Sequence, residues 1–205
     1  MRRARFHALG VSAIVLVLTG CAGTTAQSVN PVAEPARASA AGAAAELQFA
    51  RDMIEHHAQA LAMTALVPGR AAAAPVRLLA ERLEVSQRDE IAQLRGWLSR
   101  RGEGSTGDTA DPASHHDHGS MPGMRTAEQL ARLEAARGAE FDRLFLEHMI
   151  AHHEGALVMI RDLFAAPGAG QDPEIFRFAS EIEADQRMEI TRMQQLLAAM
   201  PDGTD

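Results

Sequence analysis

Two stretches of this chain pair imidazoles with thioethers at helical spacing. Residues 49–63 read FARDMIEHHAQALAM and residues 145–159 read FLEHMIAHHEGALVM, so Phe, Met-Ile, His-His, Ala-Leu and Met recur in register 96 residues apart. Met53, His56 and His57 lie within about one helical turn, and Met149, His152 and His153 repeat the set. Met63 and Met159 close the two motifs, and His148 adds an imidazole one turn before His152, where the first copy has Asp52. Thioether plus imidazole without thiolate suits copper, as Cu(I) or Cu(II), better than it suits hard ions. A bland reading stands beside this one. Met at helical spacing is ordinarily core filler, and a core-facing His can brace a bundle by hydrogen bonding to a neighbouring helix.

A separate tract holds further soft donors. His115, His116, His118, Met121 and Met124 fall within ten residues that also contain Gly, Ser and Pro. Such a tract can wrap round an ion without a preformed site, at the cost of ordering entropy. It can equally be a low-complexity hinge. Imidazoles must be unprotonated to ligate, so binding at any of these sites is expected to weaken below roughly pH 6.

The repeat dictates the elements that carry these residues. A second matched pair, Glu84–Ile91 and Glu183–Ile190, follows at an offset of 99, so each half reads as helix–loop–helix with a slightly longer inner loop in the second. The periodicity predicts helices over about 44–66, 75–100, 127–165 and 173–199, the third interrupted near Gly138. Pro75 and Pro173 suit first turns, Asp172 suits an N-cap, and Thr126 with Gln129 spells a capping box. Phe49, Met53, His56, Ala60 and Met63 share one face, with His57 on its flank; Phe145, Met149, His152, Ala156 and Met159 repeat the face, with His153 on the flank. The core stripes of the partner helices are each interrupted by a polar pair, Gln87 with Glu90 and Gln186 with Glu189. These are the natural partners of the histidines. Two copies are too few for a solenoid, so a pseudo-symmetric all-α bundle follows, with the two His-His segments adjacent. Residues 102–125 read as a mobile surface linker.

The framed His-His pair, followed by QxxEI on the next helix and repeated twice, resembles the domain-of-unknown-function 305 family of bacterial secreted proteins over about residues 46–199. The resemblance implies a ferritin-like four-helix bundle and, since some members are associated with copper handling, a metal ion as partner. The contrast between Asp52 and His148 means that the two halves need not bind alike.

Composition excludes other classes. The 20 basic residues are all Arg, so lysine Schiff-base chemistry and the lysine-bearing phosphate loop are ruled out. A net charge of −7 argues against a nucleic-acid surface. No Glu is followed by His three positions on, and HExxH is absent, so neither a di-iron carboxylate enzyme nor a zinc protease is indicated. The expectation is a protein that is not an enzyme. The alternative to metal binding is a metal-free interaction or pH-responsive module in which the His pairs are structural; under either reading a homo-oligomer is among the expected partners.

The N-terminus indicates location. Arg2, Arg3 and Arg5 precede an apolar stretch from Ala8 to Leu18, too short to span a bilayer, which ends in Leu-Thr-Gly-Cys21. This is a lipoprotein signal over residues 1–21, with the chain's one Cys as the acylated residue. Residues 22–45 then read as a flexible tether and 200–205 as a tail, giving an extracytoplasmic, membrane-anchored lipoprotein.

Overall fold

The computed structural model describes residues 33–103 and 121–201. Five helices account for most of them: α1 (Ala33–Thr64), α2 (Ala74–Arg100), α3 (Ala127–Ala135), α4 (Gly138–Ala165) and α5 (Pro173–Ala198). Pairing between extended segments is confined, among the described residues, to one isolated bridge between Ala71 and Gly138. The fold is all-α, a four-helix bundle of α1, α2, α4 and α5 in which α1 packs on α2 and α4, and α5 on α4 and α2. The short α3 lies against α4.

Local chemistry explains the helix ends. Thr126 and Gln129 form the capping box of α3, and Asp172 caps α5 by accepting from the backbone of Glu174 and Ile175 ahead of Pro173. The expected third helix is two helices, separated at Ala136 and Arg137, and Gly138 (φ 64°) opens α4. Cross-half contacts reinforce the starts of α2 and α5. Asp142 on α4 accepts from the Ala73 N–H at the start of α2 (2.7 Å), and Glu46 on α1 accepts from Gln171 and Asp172 N–H at the start of α5 (2.9 and 3.2 Å). Asp142 and Glu46 occupy equivalent repeat positions. Each half therefore places a carboxylate against the positive end of the other half's second helix.

The apolar core divides in two. Phe49 and Met53, before the first His pair, cluster with Ala156, Ile160 and Leu163, after the second; Ala60 and Met63 cluster with Phe145 and Met149. This exchange requires α1 and α4 to run antiparallel and to cross at their His pairs. A polar layer thus separates two greasy halves.

Three expectations about organisation need correction. Residues 33–45 are helical, so the tether is shorter than 22–45: Gly42 lies so close to Gly168 that an added Cβ would stand 2.0 Å from its carbonyl oxygen, and this approach docks the early turns of α1. The second inner loop (166–172) is the shorter one, not the longer; the extra residues extend α4 beyond the point where α1 ends. The described end of the linker, residues 121–125, is held against the bundle by the contacts described below.

Candidate metal centre at the helix crossing

The α1–α4 crossing brings His56 and His152 face to face, with ring centroids 3.8 Å apart and planes tilted by 34°. The adjacent His57 and His153 rings lie 6.3 and 6.2 Å from these. All four imidazoles are buried. His57 and His153, expected on flanks, are as enclosed as the others because each flank meets the polar pair of a partner helix. His57 Nε2 stands 2.5 Å from Glu90 Oε2, though without hydrogen-bond alignment, and His153 Nε2 lies 2.8 Å from Glu189 Oε2. Glu90 is further held by the Ser86 hydroxyl, which donates to its other oxygen at 2.9 Å. Gln87 and Gln186 complete the layer, both buried, and neither Gln87 polar atom has a hydrogen-bond partner.

The other pair is bonded to backbone. His56 Nε2 lies 3.0 Å from the Pro122 carbonyl, and His152 Nε2 lies 3.0 Å from the His56 carbonyl. A carbonyl oxygen only accepts, so both Nε2 atoms carry the proton. In the neutral tautomer this leaves the lone pair on Nδ1. His56 Nδ1, like Nδ1 of His57, is buried without a hydrogen-bond partner.

Burial sets the protonation states. The His56 imidazole is pushed down to about 3, first by desolvation and then by His57. His153 is likewise lowered to about 3 by burial and by His57, and His152 falls well below its usual value through burial and its His56 neighbour. Glu189 is raised to about 8 by burial, then by the nearby charges of Glu90 and Asp185. Low dielectric favours the neutral form of each partner, so burial drives the Glu189–His153 pair toward carboxylic acid and neutral imidazole. Burial thus moves the expected loss of ligating power to lower pH at His56, His152 and His153.

The remaining candidates are distributed unevenly. Met53 and Met149 precede the His pairs by one turn and are buried among apolar residues of different clusters. Met63 and Met159 lie two turns beyond His56 and His152, about 10 Å along the helix, so they do not converge on the layer. Met63 is buried and Met159 half-buried. His148 is nearly enclosed, its imidazole lowered by burial and by the positive charges of Arg125 and Arg132. Met121 and Met124 are half-buried on the segment that carries Pro122. Cys21, His115, His116 and His118 lie outside the described residues. Among the described residues, no three His, Cys, Asp or Glu side chains form a ready-made metal cage.

Sequence reasoning missed four contributors: Gln59, Pro122, Gly123 and Gly155. Gln59 Nε2 donates to the Arg125 carbonyl (2.9 Å), and its Oε1 accepts from the Arg125 N–H (2.7 Å). Gly155 faces Pro122, whose oxygen would stand 2.1 Å from an added Cβ, and Gly123 packs as closely on the α4 backbone. A signal existed, because Gln59 and Gly155 occupy the same repeat position and differ in kind.

Fold and layer together define a two-repeat helical bundle with a buried imidazole centre at its pseudo-two-fold crossing. The chain belongs to the family of the domain of unknown function DUF305, whose model matches residues 46–197. It is similar to a DUF305 fragment from Deinococcus radiodurans, with 34% identity and a TM-score of 0.65 over 76% of this chain and 97% of that one. A candidate secreted DUF305 protein from Streptomyces coelicolor is 29% identical, with a TM-score of 0.62 over 75% of this chain and 91% of its own. CopM in its Cu(II)-bound form is 26% identical, with a TM-score of 0.60 over 75% of this chain and 95% of its own. No curated protein matches the chain.

Proposed function

We propose that this protein is an extracytoplasmic copper-binding protein that captures or buffers the ion and performs no reaction of its own. The observation that carries the reading is the layer of four buried imidazoles, three of them held neutral by burial, with Nδ1 of His56 and His57 unpartnered. Neutral imidazole is the ligating form, and an unpartnered buried nitrogen gains by coordination. The donor set fits copper: imidazoles from His56, His57, His152 and His153, with the thioethers of Met53 and Met149 one turn away and Glu90 and Glu189 to orient the rings. The similarity to CopM, a protein with a Cu(II)-bound form, supports the same choice.

Location belongs to the proposal. Among the described residues no helix is long and apolar enough to cross a membrane, and the Streptomyces relative is a candidate secreted protein. Acylation at Cys21 would then attach the domain to the envelope, and a Cys21→Ala chain should leave the membrane fraction.

A second reading keeps the layer metal-free, as a brace between helices. The hydrogen bonds from His56 and His152 to backbone carbonyls favour it. Equilibrium dialysis against Cu(II), and against Cu(I) under reductant, separates the two with three proteins. These are the intact chain, a chain with His115, His116, His118, Met121 and Met124 changed to Ala, and a chain with His56, His57, His152 and His153 changed to Ala. We expect the third to lose the tighter copper. Loss confined to the second returns the helical imidazoles to a structural role, and equal uptake by all three removes copper from these residues.

A further inference from the structure

The two repeats differ at the position that follows each His pair by two residues, and the difference serves one segment. In the first half Gln59 grips the Arg125 backbone through both its amide atoms. In the second half Gly155 supplies a recess with no side chain, into which Pro122 and Gly123 settle against α4. Gly123 has φ 78°, a conformation that glycine adopts readily, and the Arg125 Nε–H donates to its carbonyl at 2.9 Å. Between clamp and recess, the Pro122 carbonyl takes the His56 Nε2–H.

From this geometry we propose that residues 121–125 form a removable cover over the imidazole layer, and that its docking by Gln59 and Gly155 sets how fast copper enters. The inference rests on the copper reading above. With the cover seated, His56 is fixed as the Nε2–H tautomer and that nitrogen is spent on Pro122. When the cover lifts, the α1–α4 face opens, His56 Nε2–H exchanges the Pro122 carbonyl for water, and the lone pair on the unpartnered Nδ1 comes within reach of the ion. Met121 and Met124 belong to the same segment, so the thioethers move with the cover and are offered to incoming ion at the moment the imidazoles are exposed.

Two variants of the full chain test this. Gln59→Ala removes both clamp bonds from a half-buried surface position without touching a proposed ligand, and Gly155→Ala places a Cβ against the Pro122 carbonyl. Copper uptake is followed by stopped flow, and His56 acylation by diethyl pyrocarbonate is followed by mass spectrometry in the absence of metal. Two lost hydrogen bonds should raise both rates by roughly fivefold or more in Gln59→Ala, with copper stoichiometry unchanged and His153 acylation unaffected. Gly155→Ala, if it folds, should do the same. Acylation of His56 at the intact-chain rate in Gln59→Ala overturns the cover. Faster acylation with unaltered copper uptake also overturns the proposal, since the ion would then enter elsewhere. If no protein takes up copper, the function proposed above falls, while acylation still judges whether the segment covers His56.

Discussion

The α1–α2 half and the α4–α5 half begin from the same pattern and finish in different states. Both place a His pair at the crossing, both bring a carboxylate from the partner helix against the outer imidazole, and both lend a carboxylate to the other half's second helix. They diverge where the linker returns to the bundle. The first half keeps an amide side chain to hold it and the second gives up its side chain to admit it. As a result His56 is bonded to the linker, while His152 is bonded to α1. The scaffold is repeated, and the Gln59/Gly155 difference makes its two copies complementary where they hold residues 121–125.

Importing the first half's residue into the second should have the largest effect. Gly155→Gln drives a side chain into the Pro122 backbone, and we expect a loss of about 3 kcal/mol in urea unfolding. Removing the first half's clamp with Gln59→Ala should cost less, about 1–2 kcal/mol, because it removes bonds without creating a collision or a helical glycine. Similar losses from the two changes would mean that the recess and the clamp are not distinct devices.

Protonation offers a second contrast, between the imidazoles and Glu189. His56 and His153 are lowered from 6.5 to about 3, so the unfolded chain binds more protons and their contribution, present above 6.5, is lost as pH falls toward 3. His152 acts in the same direction. Glu189 is raised from 4.5 to about 8, so its contribution is present below 4.5 and lost as pH rises through 8. Between 4.5 and 6.5 three imidazoles oppose one carboxyl, and acid destabilises by at least about 1 kcal/mol per pH unit. Above 6.5 Glu189 acts without that opposition, which places the stability maximum near 6.5. Denaturant midpoints across pH 4–9 should trace this dome, and Glu189→Gln should flatten its alkaline side. An unchanged alkaline side in that variant would show that the carboxyl is ionised in the folded protein.

The smallest effect belongs to another position at which the halves differ, Asp52 against His148. Asp52→His should alter stability by no more than about 0.5 kcal/mol, and His148→Asp, at a nearly enclosed position, should cost about 1 kcal/mol. Asp52 accepts from Gln48 on an exposed face, and an aspartate at 148 would face the positive charges of Arg125 and Arg132. Copper stoichiometry that follows the exchanged histidine would instead make His148 a ligand.

Much of the scaffold was readable because its signals are local. Proline at the first turns of α2 and α5, the Thr126–Gln129 box and the Asp172 cap each mark an end through backbone chemistry that needs no distant partner. The meeting of His56 with His152 followed from the repeat, and the Glu90 and Glu189 partners from polar interruptions in otherwise apolar stripes. The parts that escaped depend on tertiary contact. Residues 33–45 have no apolar period, and their helix is docked by the approach of Gly42 to Gly168. His57 and His153 looked peripheral on a single helical wheel, since a wheel cannot show a neighbouring helix closing over the flank. The return of residues 121–125 depends on a Gln and a Gly that look ordinary until the two repeats are superimposed.

The early start of α1 also sets a distance. With Ala33 already in the helix, the chain between Cys21 and the first turn can stretch to about 40 Å at most, against about 80 Å had it stayed extended to residue 45. An acyl group on Cys21 would therefore hold the bundle within a few nanometres of the bilayer, about the length of α1 itself. So anchored, a copper-binding imidazole layer would sample ions close to the membrane surface instead of drawing on the full depth of the surrounding compartment.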